Sequence, residues 1–292
     1  MIIETVDPGV EAVRQAVEEY AANYPDYADA LRLYGAIMEV QQEALAGLSC
    51  PLEPLSDQER ESRLSSGEPL LDPLALAIDG PAYRRVMAEI CHTVGGNTPG
   101  GFKLAEELLA WEGLSDERVD QTRNSVLAGN DLGFKPSGKA SKEDLELLRD
   151  LLWEGLAPFY RVCGRILAGG MDQSLWQRGY CPVCGGAPLF GKYRQDDGLW
   201  VVECSLCHTS WNLQRTGCPF CDKSEQGSLE FLYLEGDKSR RANYCKSCRK
   251  YVKTIDARDG DENLMLPLEN IVTAYLDIGA KQENLIPASG HN

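Results

Sequence analysis

Four Cys-x-x-Cys pairs lie between residues 181 and 248: Cys181-Pro-Val-Cys184, Cys204-Ser-Leu-Cys207, Cys218-Pro-Phe-Cys221 and Cys245-Lys-Ser-Cys248. They hold eight of the chain's eleven cysteines. A Cys-x-x-Cys turn directs two thiolates toward one point, and two such turns can enclose a metal ion with four sulfurs. The four pairs therefore predict two metal sites.

The spacing of the pairs predicts which of them share a site. The first and second pairs are separated by 19 residues, the third and fourth by 23, and the second and third by 10. Metal ribbons separate their two cysteine turns by roughly 15–20 residues or a little more. Sequential pairing is therefore favoured, with one site from Cys181, Cys184, Cys204 and Cys207 and another from Cys218, Cys221, Cys245 and Cys248. An interleaved pairing stays open.

A β-hairpin pattern stands between the two pairs of each predicted site. The turn-rich tetrads Gln195–Gly198 and Gly236–Ser239 are each flanked by strand-like segments, at residues 187–193, 199–203, 229–235 and 240–244. Residues 251–255 form a further strand candidate. The pattern predicts two small β modules, each too small to fold without its metal.

Helical periodicity dominates the first 175 residues. Asp7-Pro8 is typical of a helix start, with Asp as N-cap. Further helices are predicted at residues 26–45, 81–94 and 101–111, from Ser115 to about residue 129, and from Ser141 to about residue 168, with Pro158 bending or splitting the last one. Residues 49–73 predict an irregular connection with one helical turn near 58–64. Residues 267–281 predict a C-terminal helix.

The predicted fold class is therefore α+β with several domains. Residues 1–175 form an all-helical domain, 176–215 and 216–260 form two rubredoxin-like or zinc-ribbon-like modules with four cysteines each, and 261–292 form the C-terminal helix and tail. No phosphate loop, nucleophile elbow or nucleophile–base pair is visible in the sequence, so no catalytic residue is predicted and the chain is not expected to be an enzyme.

Charge and composition restrict the class of protein. Residues 1–175 carry 30 acidic and 15 basic side chains, whereas residues 176–292 carry 15 and 14. This acidity argues against a duplex nucleic-acid binder, whose affinity depends on neutralising phosphates. Neither a membrane span nor a signal peptide is visible, so a cytoplasmic location is expected, where reducing conditions favour metal binding by cysteine pairs over disulfides. Homo-oligomer formation stays open.

Four thiolates suit zinc, or iron in a rubredoxin-type site, and spacing does not distinguish the two metals. A complete set of four cysteines leaves no open coordination position for hydrolytic chemistry. Cys91 and Cys163 are expected to be buried and inert, and Cys50 has no visible partner. His208 directly follows Cys207 and could compete as a ligand.

Two other binding functions remain open. Basic residues with interleaved aromatics in the second module would suit a zinc ribbon that binds RNA or single-stranded DNA through Arg240, Arg241, Arg249 and Lys250. Charge compensation for an anionic metal site explains the same residues and is favoured. A rubredoxin-like electron carrier is a further alternative.

The sequence around the cysteines resembles the FdhE family of formate dehydrogenase accessory proteins. The resemblance is carried by Cys181-Pro-Val-Cys184-Gly-Gly-x-Pro, by residues 204–221 from Cys204-Ser-Leu-Cys207-His to Cys218-Pro-Phe-Cys221, by Cys245-Lys-Ser-Cys248-x-x-Tyr-Val-Lys, and by residues 268–280. It covers about residues 180–280. Asp222 follows Cys221 where a glycine is expected, so the third pair departs from the family pattern.

The resemblance implies more than the residues alone do. It implies an all-helical domain followed by two rubredoxin-like modules, with iron held by the eight cysteines. It also implies a cytoplasmic, non-enzymatic factor that binds the catalytic subunit of formate dehydrogenase and is needed for its activation.

Overall fold

The structure, a computed structural model, describes residues 7–97, 116–130, 142–215, 217–221, 227–258, 260 and 264–288. The chain forms two compact units. The helical unit holds Asp7–Glu53 and Asp72–Cys163, and the sheet unit holds the described parts of Pro54–Leu71 and Gly164–Asn292. The domain boundaries at residues 175, 215 and 260 remain predictions. The sequence analysis includes residues 54–71 in the helical domain, whereas in the structure they belong to the sheet unit.

The described helices follow the predicted helical segments closely. They are α1 Val10–Asn23, α2 Ala28–Leu45, α3 Asp57–Ser66, α4 Gly80–Asn97, α5 Asp116–Leu127, α6 Lys142–Leu167, α7 Leu266–Val272 and α8 Ala274–Gln282. A 3₁₀ turn at Pro25–Tyr27 joins α1 to α2. Gly35 allows the two helices to approach, because a Cβ there would lie 2.4 Å from a methyl group of Val17. The helix predicted at residues 101–111 lies outside the described residues.

Helix α1 begins two residues later than the sequence predicts. Its N-cap is Gly9, and no side chain caps it. Asp7, predicted as the cap, instead accepts a hydrogen bond of 3.1 Å from Arg161, whose side chain is 2% exposed. A buried guanidinium needs a nearby carboxylate more than an exposed helix end needs a cap, which explains the shift.

Helix α6 runs through Pro158 without a break, so the predicted split does not occur. Proline has no N–H, which leaves the backbone oxygen of Glu154, four residues earlier, without its helical donor. Gln41 on α2 supplies a substitute, because its Nε2 donates to that oxygen at 2.9 Å and to the Glu154 carboxylate at 2.6 Å. The side chain of Gln41 is almost fully buried.

A disulfide joins Cys50, in the loop after α2, to Cys163 near the end of α6. This overturns two expectations, that Cys163 is an inert thiol and that Cys50 has no partner. The pair is separated by 113 residues, a distance at which local sequence patterns carry no pairing signal. Cys91 is buried in α4 as expected, and burial raises the pKa of its thiol to about 12.

The sheet unit contains one sheet. Its strands are β1 Pro188–Tyr193, β2 Trp200–Cys204, β3 Ser210–Leu213, β4 Leu229–Leu234, β5 Asp237–Cys245, β6 Lys250–Asp256 and β7 Ile286–Pro287. The order across the sheet is β3-β2-β1-β6-β5-β4, and β7 also pairs with β6. The two predicted hairpins correspond to β1–β2 and β4–β5. The sequence pattern does not indicate strands β3 and β7.

A parallel pairing between β1 and β6 joins the two predicted β modules. Gly191 pairs with Thr254, and Tyr193 pairs with Asp256. The modules therefore share backbone hydrogen bonds across their boundary. Sequence periodicity shows which residues form strands but does not show which strands of two modules are neighbours.

Two helices take the place of the predicted C-terminal helix and pack against the sheet. They separate at Thr273, whose hydroxyl bonds the backbone oxygen of Glu269 at 2.6 Å. Leu266 of α7 packs with Phe190 and Ile255, and Ala280 of α8 belongs to a second cluster on the sheet. Arg240 on β5 forms a two-pronged ion pair with Glu269, at 2.9 and 3.1 Å.

Among the described residues, no helix has the length and apolar character needed to span a membrane.

Candidate metal centres

Each Cys-x-x-Cys pair forms the same compact turn. The sulfur of its first cysteine accepts a hydrogen bond from the backbone N–H two residues later, at 3.3–3.4 Å in all four turns, with donors Val183, Leu206, Phe220 and Ser247. The residue after the second cysteine has a left-handed backbone in three turns, at Gly185, His208 and Arg249. Asp222, the corresponding residue of the third turn, lies outside the described residues.

The structure gathers the cysteines by sequential pairing. Cluster one contains Cys181, Cys184, Cys204 and Cys207, and cluster two contains Cys218, Cys221, Cys245 and Cys248. In each cluster the four sulfurs lie within 4.8 Å of one another. The interleaved arrangement is therefore not the one that the fold adopts.

The sulfur separations fit a tetrahedral metal site. Metal–sulfur bonds of about 2.3 Å place the corners of a tetrahedron about 3.8 Å apart. The closest contacts of cluster one are 3.5 Å, as between Cys184 and Cys204, and those of cluster two are 3.7 and 3.8 Å. The closest sulfur contacts of both clusters are therefore within a few tenths of an ångström of the separation that zinc or iron requires.

Burial supports the same interpretation for cluster one. Its four cysteines are 0–1% exposed, and burial raises the pKa of the Cys181 thiol well above its ordinary value. Four buried thiolates cannot all be ionised without a cation between them. Gly186 leaves the space that the cage needs, since a Cβ there would lie 3.0 Å from the Cys204 sulfur and 3.2 Å from the Cys184 sulfur.

Cluster two has the same geometry but a more open setting. Cys218 and Cys245 are buried, whereas Cys221 and Cys248 are partly exposed. Burial acts to raise the pKa of Cys245, but hydrogen bonds from the backbone amides of Cys248 and Ser247 and from neighbouring thiols lower it to about 7. Burial raises the pKa of both Cys218 and Cys248. A cation is therefore needed to hold all four thiolates here too, in a site less shielded from solvent than cluster one.

The segment after α3 braces cluster one, although its sequence predicts only an irregular connection. The backbone N–H groups of Leu70 and Leu71 donate to the oxygens of Pro182 and Val183 inside the first turn, at 3.0 and 2.8 Å. The Tyr180 hydroxyl donates to the Gly67 oxygen at 2.8 Å. These hydrogen bonds hold the first Cys-x-x-Cys turn against the segment after α3 and so fix the position of the turn in the sheet unit.

Comparisons with known proteins show which proteins the chain resembles. Residues 180–215, which contain cluster one and strands β1–β3, match the family description "FdhE, central domain". The Protein FdhE homolog of Aquifex aeolicus (strain VF5) is 25% identical over 286 residues, and the match covers 94% of each chain. Protein FdhE of Escherichia coli (strain K12) is 24% identical over 279 residues, covering 94% of this chain and 84% of that protein.

The crystal structure of the FdhE protein from Pseudomonas aeruginosa has the same fold. It matches with a TM-score of 0.72 at 21% identity, covering 100% of this chain and 98% of the other. The chain is therefore similar to FdhE proteins over almost its whole length, in sequence and in fold. The predicted fold class is confirmed, since an N-terminal helical region, a sheet and two four-cysteine clusters are all present.

His208 is not a member of either cysteine cluster. Its Nδ1 lies 2.6 Å from a carboxylate oxygen of Glu203, and both side chains are buried. The left-handed backbone at His208 turns the chain out of the second Cys-x-x-Cys turn, so its ring meets β2 rather than the cluster. The expectation that His208 could compete as a metal ligand is therefore not supported.

The basic residues proposed for nucleic-acid contact mostly bind other residues of the same chain. Arg240 pairs with Glu269, and Arg241 pairs with Asp256 at 3.1 Å. Arg249 donates to the backbone oxygen of Glu283 and lies over the Tyr244 ring. Lys250 is exposed. These contacts favour the structural interpretation of the basic cluster over a phosphate-binding surface.

Proposed function

We propose that the chain is an accessory factor in the maturation of formate dehydrogenase, that it binds the catalytic subunit of that enzyme in the cytoplasm, and that it is not itself an enzyme. The observation that carries the proposal is the match to FdhE proteins over 94% of the chain, together with a fold that gathers all eight pair cysteines into two clusters. A match of this extent includes the helical unit as well as the cysteine region.

In this proposal each cluster holds one metal ion, zinc or iron, through four cysteines. The metal would offset part of the negative charge of four thiolates and connect two turns that are distant in sequence. Cluster one would join the turn before β1 to the turn between β2 and β3, and cluster two would join the turn before β4 to the β5–β6 connection. The two sites would therefore stabilise the sheet unit.

The experiment that tests the function is a tagged pull-down from the native organism during growth on formate, followed by mass spectrometry. We expect enrichment of the formate dehydrogenase catalytic subunit with the unmodified chain and its loss with Cys181→Ser. Cys91→Ser is the matched control, because Cys91 is also a buried cysteine but lies outside both clusters. It should retain the partner.

Formate dehydrogenase activity in a strain that lacks the chain provides a second measurement. Activity should fall sharply and return when the unmodified chain is supplied. Full activity in the deletion strain would contradict the maturation role. Capture of ribosomal or other nucleic-acid-associated proteins in place of the enzyme would favour the zinc-ribbon alternative.

A further inference from the structure

The two clusters differ in how they are enclosed. All four cysteines of cluster one are 0–1% exposed, and the backbone of residues 70–71 lies along its first turn. In cluster two, Cys221 and Cys248 are partly exposed. A ligand can replace a metal-bound cysteine only after it has reached the metal, so the barrier to exchange depends on this difference in burial.

A cavity of about 620 Å³ opens beside cluster two. Cys218, Pro219 and Phe220 of its third turn line one part, and Gly185 of the first turn lines another. The volume is in the range of sites that hold small molecules. Cys218 is the metal ligand that the cavity reaches, so a small molecule in this space would adjoin cluster two.

The charges in the cavity indicate which ligands it favours. Arg178 and Lys250 both line it, and none of the lining residues is acidic. Within the described part of the chain, neither cation has an ion-pair partner. A divalent metal with four thiolates carries a formal charge of −2, which would repel an anion, and the two cations offset this repulsion.

We propose that cluster two releases its metal to small anionic thiols or other anionic chelating ligands that enter through this cavity, and that cluster one releases its metal far more slowly. In the exchange step, a donor atom of the ligand binds the metal while a cysteine–metal bond breaks. When the ligand is a thiol, the proton that its S–H loses passes through solvent to the departing cysteine thiolate, and no electrons are transferred. The inference rests on the proposal that both clusters hold a metal.

The test begins with the full-length chain loaded with zinc and a measurement of metal content. Two ions per chain would establish that both clusters are filled, whatever their exchange rates. Zinc release to the anionic chelator 4-(2-pyridylazo)resorcinol is then followed by absorbance. We expect two phases of equal amplitude that differ in rate by roughly tenfold or more, because the enclosed site must first open locally. One phase for both ions would overturn the inference.

Variants assign each phase to a cluster. Cys221→Ser should remove the fast phase and leave the slow one, and Cys184→Ser should do the reverse. Loss of the slow phase in Cys221→Ser would overturn the assignment. Circular dichroism on each variant would show whether the chain remains folded.

A variant that keeps all eight cysteines tests whether ligands reach cluster two through the cavity. Ala288→Trp places a large ring in the cavity that Ala288 lines, and it should slow the fast phase severalfold without changing the slow phase. Gln282→Trp, on the exposed surface of α8, is the control and should change neither phase. An unchanged fast phase in Ala288→Trp would overturn the cavity as the entry path.

Discussion

The side-chain amide of Gln41 donates a hydrogen bond to the backbone oxygen of Glu154, the oxygen that Pro158 leaves without a helical donor. A contact between α2 and α6 therefore replaces a hydrogen bond that α6 cannot make within itself. This explains how a 26-residue helix continues through an internal proline. It also identifies Gln41 as a buried polar residue with a specific structural role.

Replacement of Gln41 by leucine should destabilise the protein by roughly 1–3 kcal/mol, because a buried carbonyl oxygen and the Glu154 carboxylate would lose their donor. Gln42→Leu is the matched control. Gln42 is also buried, but its Nε2 has no hydrogen-bond partner among the described residues, so its loss should cost much less. Denaturant unfolding of both variants checks the prediction, and equal effects would contradict it.

The Cys50–Cys163 disulfide predicts a specific thiol count. With metal removed and the protein denatured without reductant, nine of the eleven cysteines should react with a thiol reagent, and all eleven should react after reduction. Cys50→Ser should lower the stability of the oxidised protein by roughly 2–4 kcal/mol. In the presence of reductant the variant and the unmodified chain should be similarly stable. Eleven reactive thiols without reductant would show that the bond is absent.

Gly186→Ala should weaken metal binding at cluster one. The added methyl group would lie 3.0 Å from the Cys204 sulfur, so the cage would have to shift to accommodate it. Gly47→Ala is the control, because the nearest atom to a Cβ there is 3.8 Å away. Metal content after equilibration with a competing chelator is the measurement. A Gly186→Ala protein that retains both ions as firmly as the control would refute the prediction.

Removal of the Glu269 carboxylate should destabilise the contact between α7 and the sheet. Glu269 is 1% exposed and binds Arg240 through two hydrogen bonds, so Glu269→Ala leaves a largely buried guanidinium without its main partner. We expect a loss of roughly 3 kcal/mol. Glu18→Ala breaks the exposed pair with Arg32 and should cost less than about 1 kcal/mol. Thermal unfolding of the two variants distinguishes them.

The sequence predicted the parts of the structure that local spacing controls. The Cys-x-x-Cys intervals indicated the two clusters, and the turn-rich tetrads indicated both hairpins. Contacts between distant segments could not be predicted in this way. Leu70 and Leu71 bond to the first cysteine turn through backbone groups, which every residue carries, so no residue type marks that contact. The Cys50–Cys163 bond and the Gln41–Glu154 contact likewise join residues more than 100 positions apart.

The parallel pairing of β1 with β6 has a consequence for synthesis of the chain. Strand β1 ends at Tyr193, and its partner residues on β6 run from Thr254 to Asp256. A ribosome must therefore add about 60 residues after β1 before the central pair of the sheet can form. Until then, β1 has one unpaired edge, and cluster one can assemble before cluster two has been synthesised. All four cysteines of cluster one are therefore available for the proposed metal before the last two cysteines of cluster two have been synthesised.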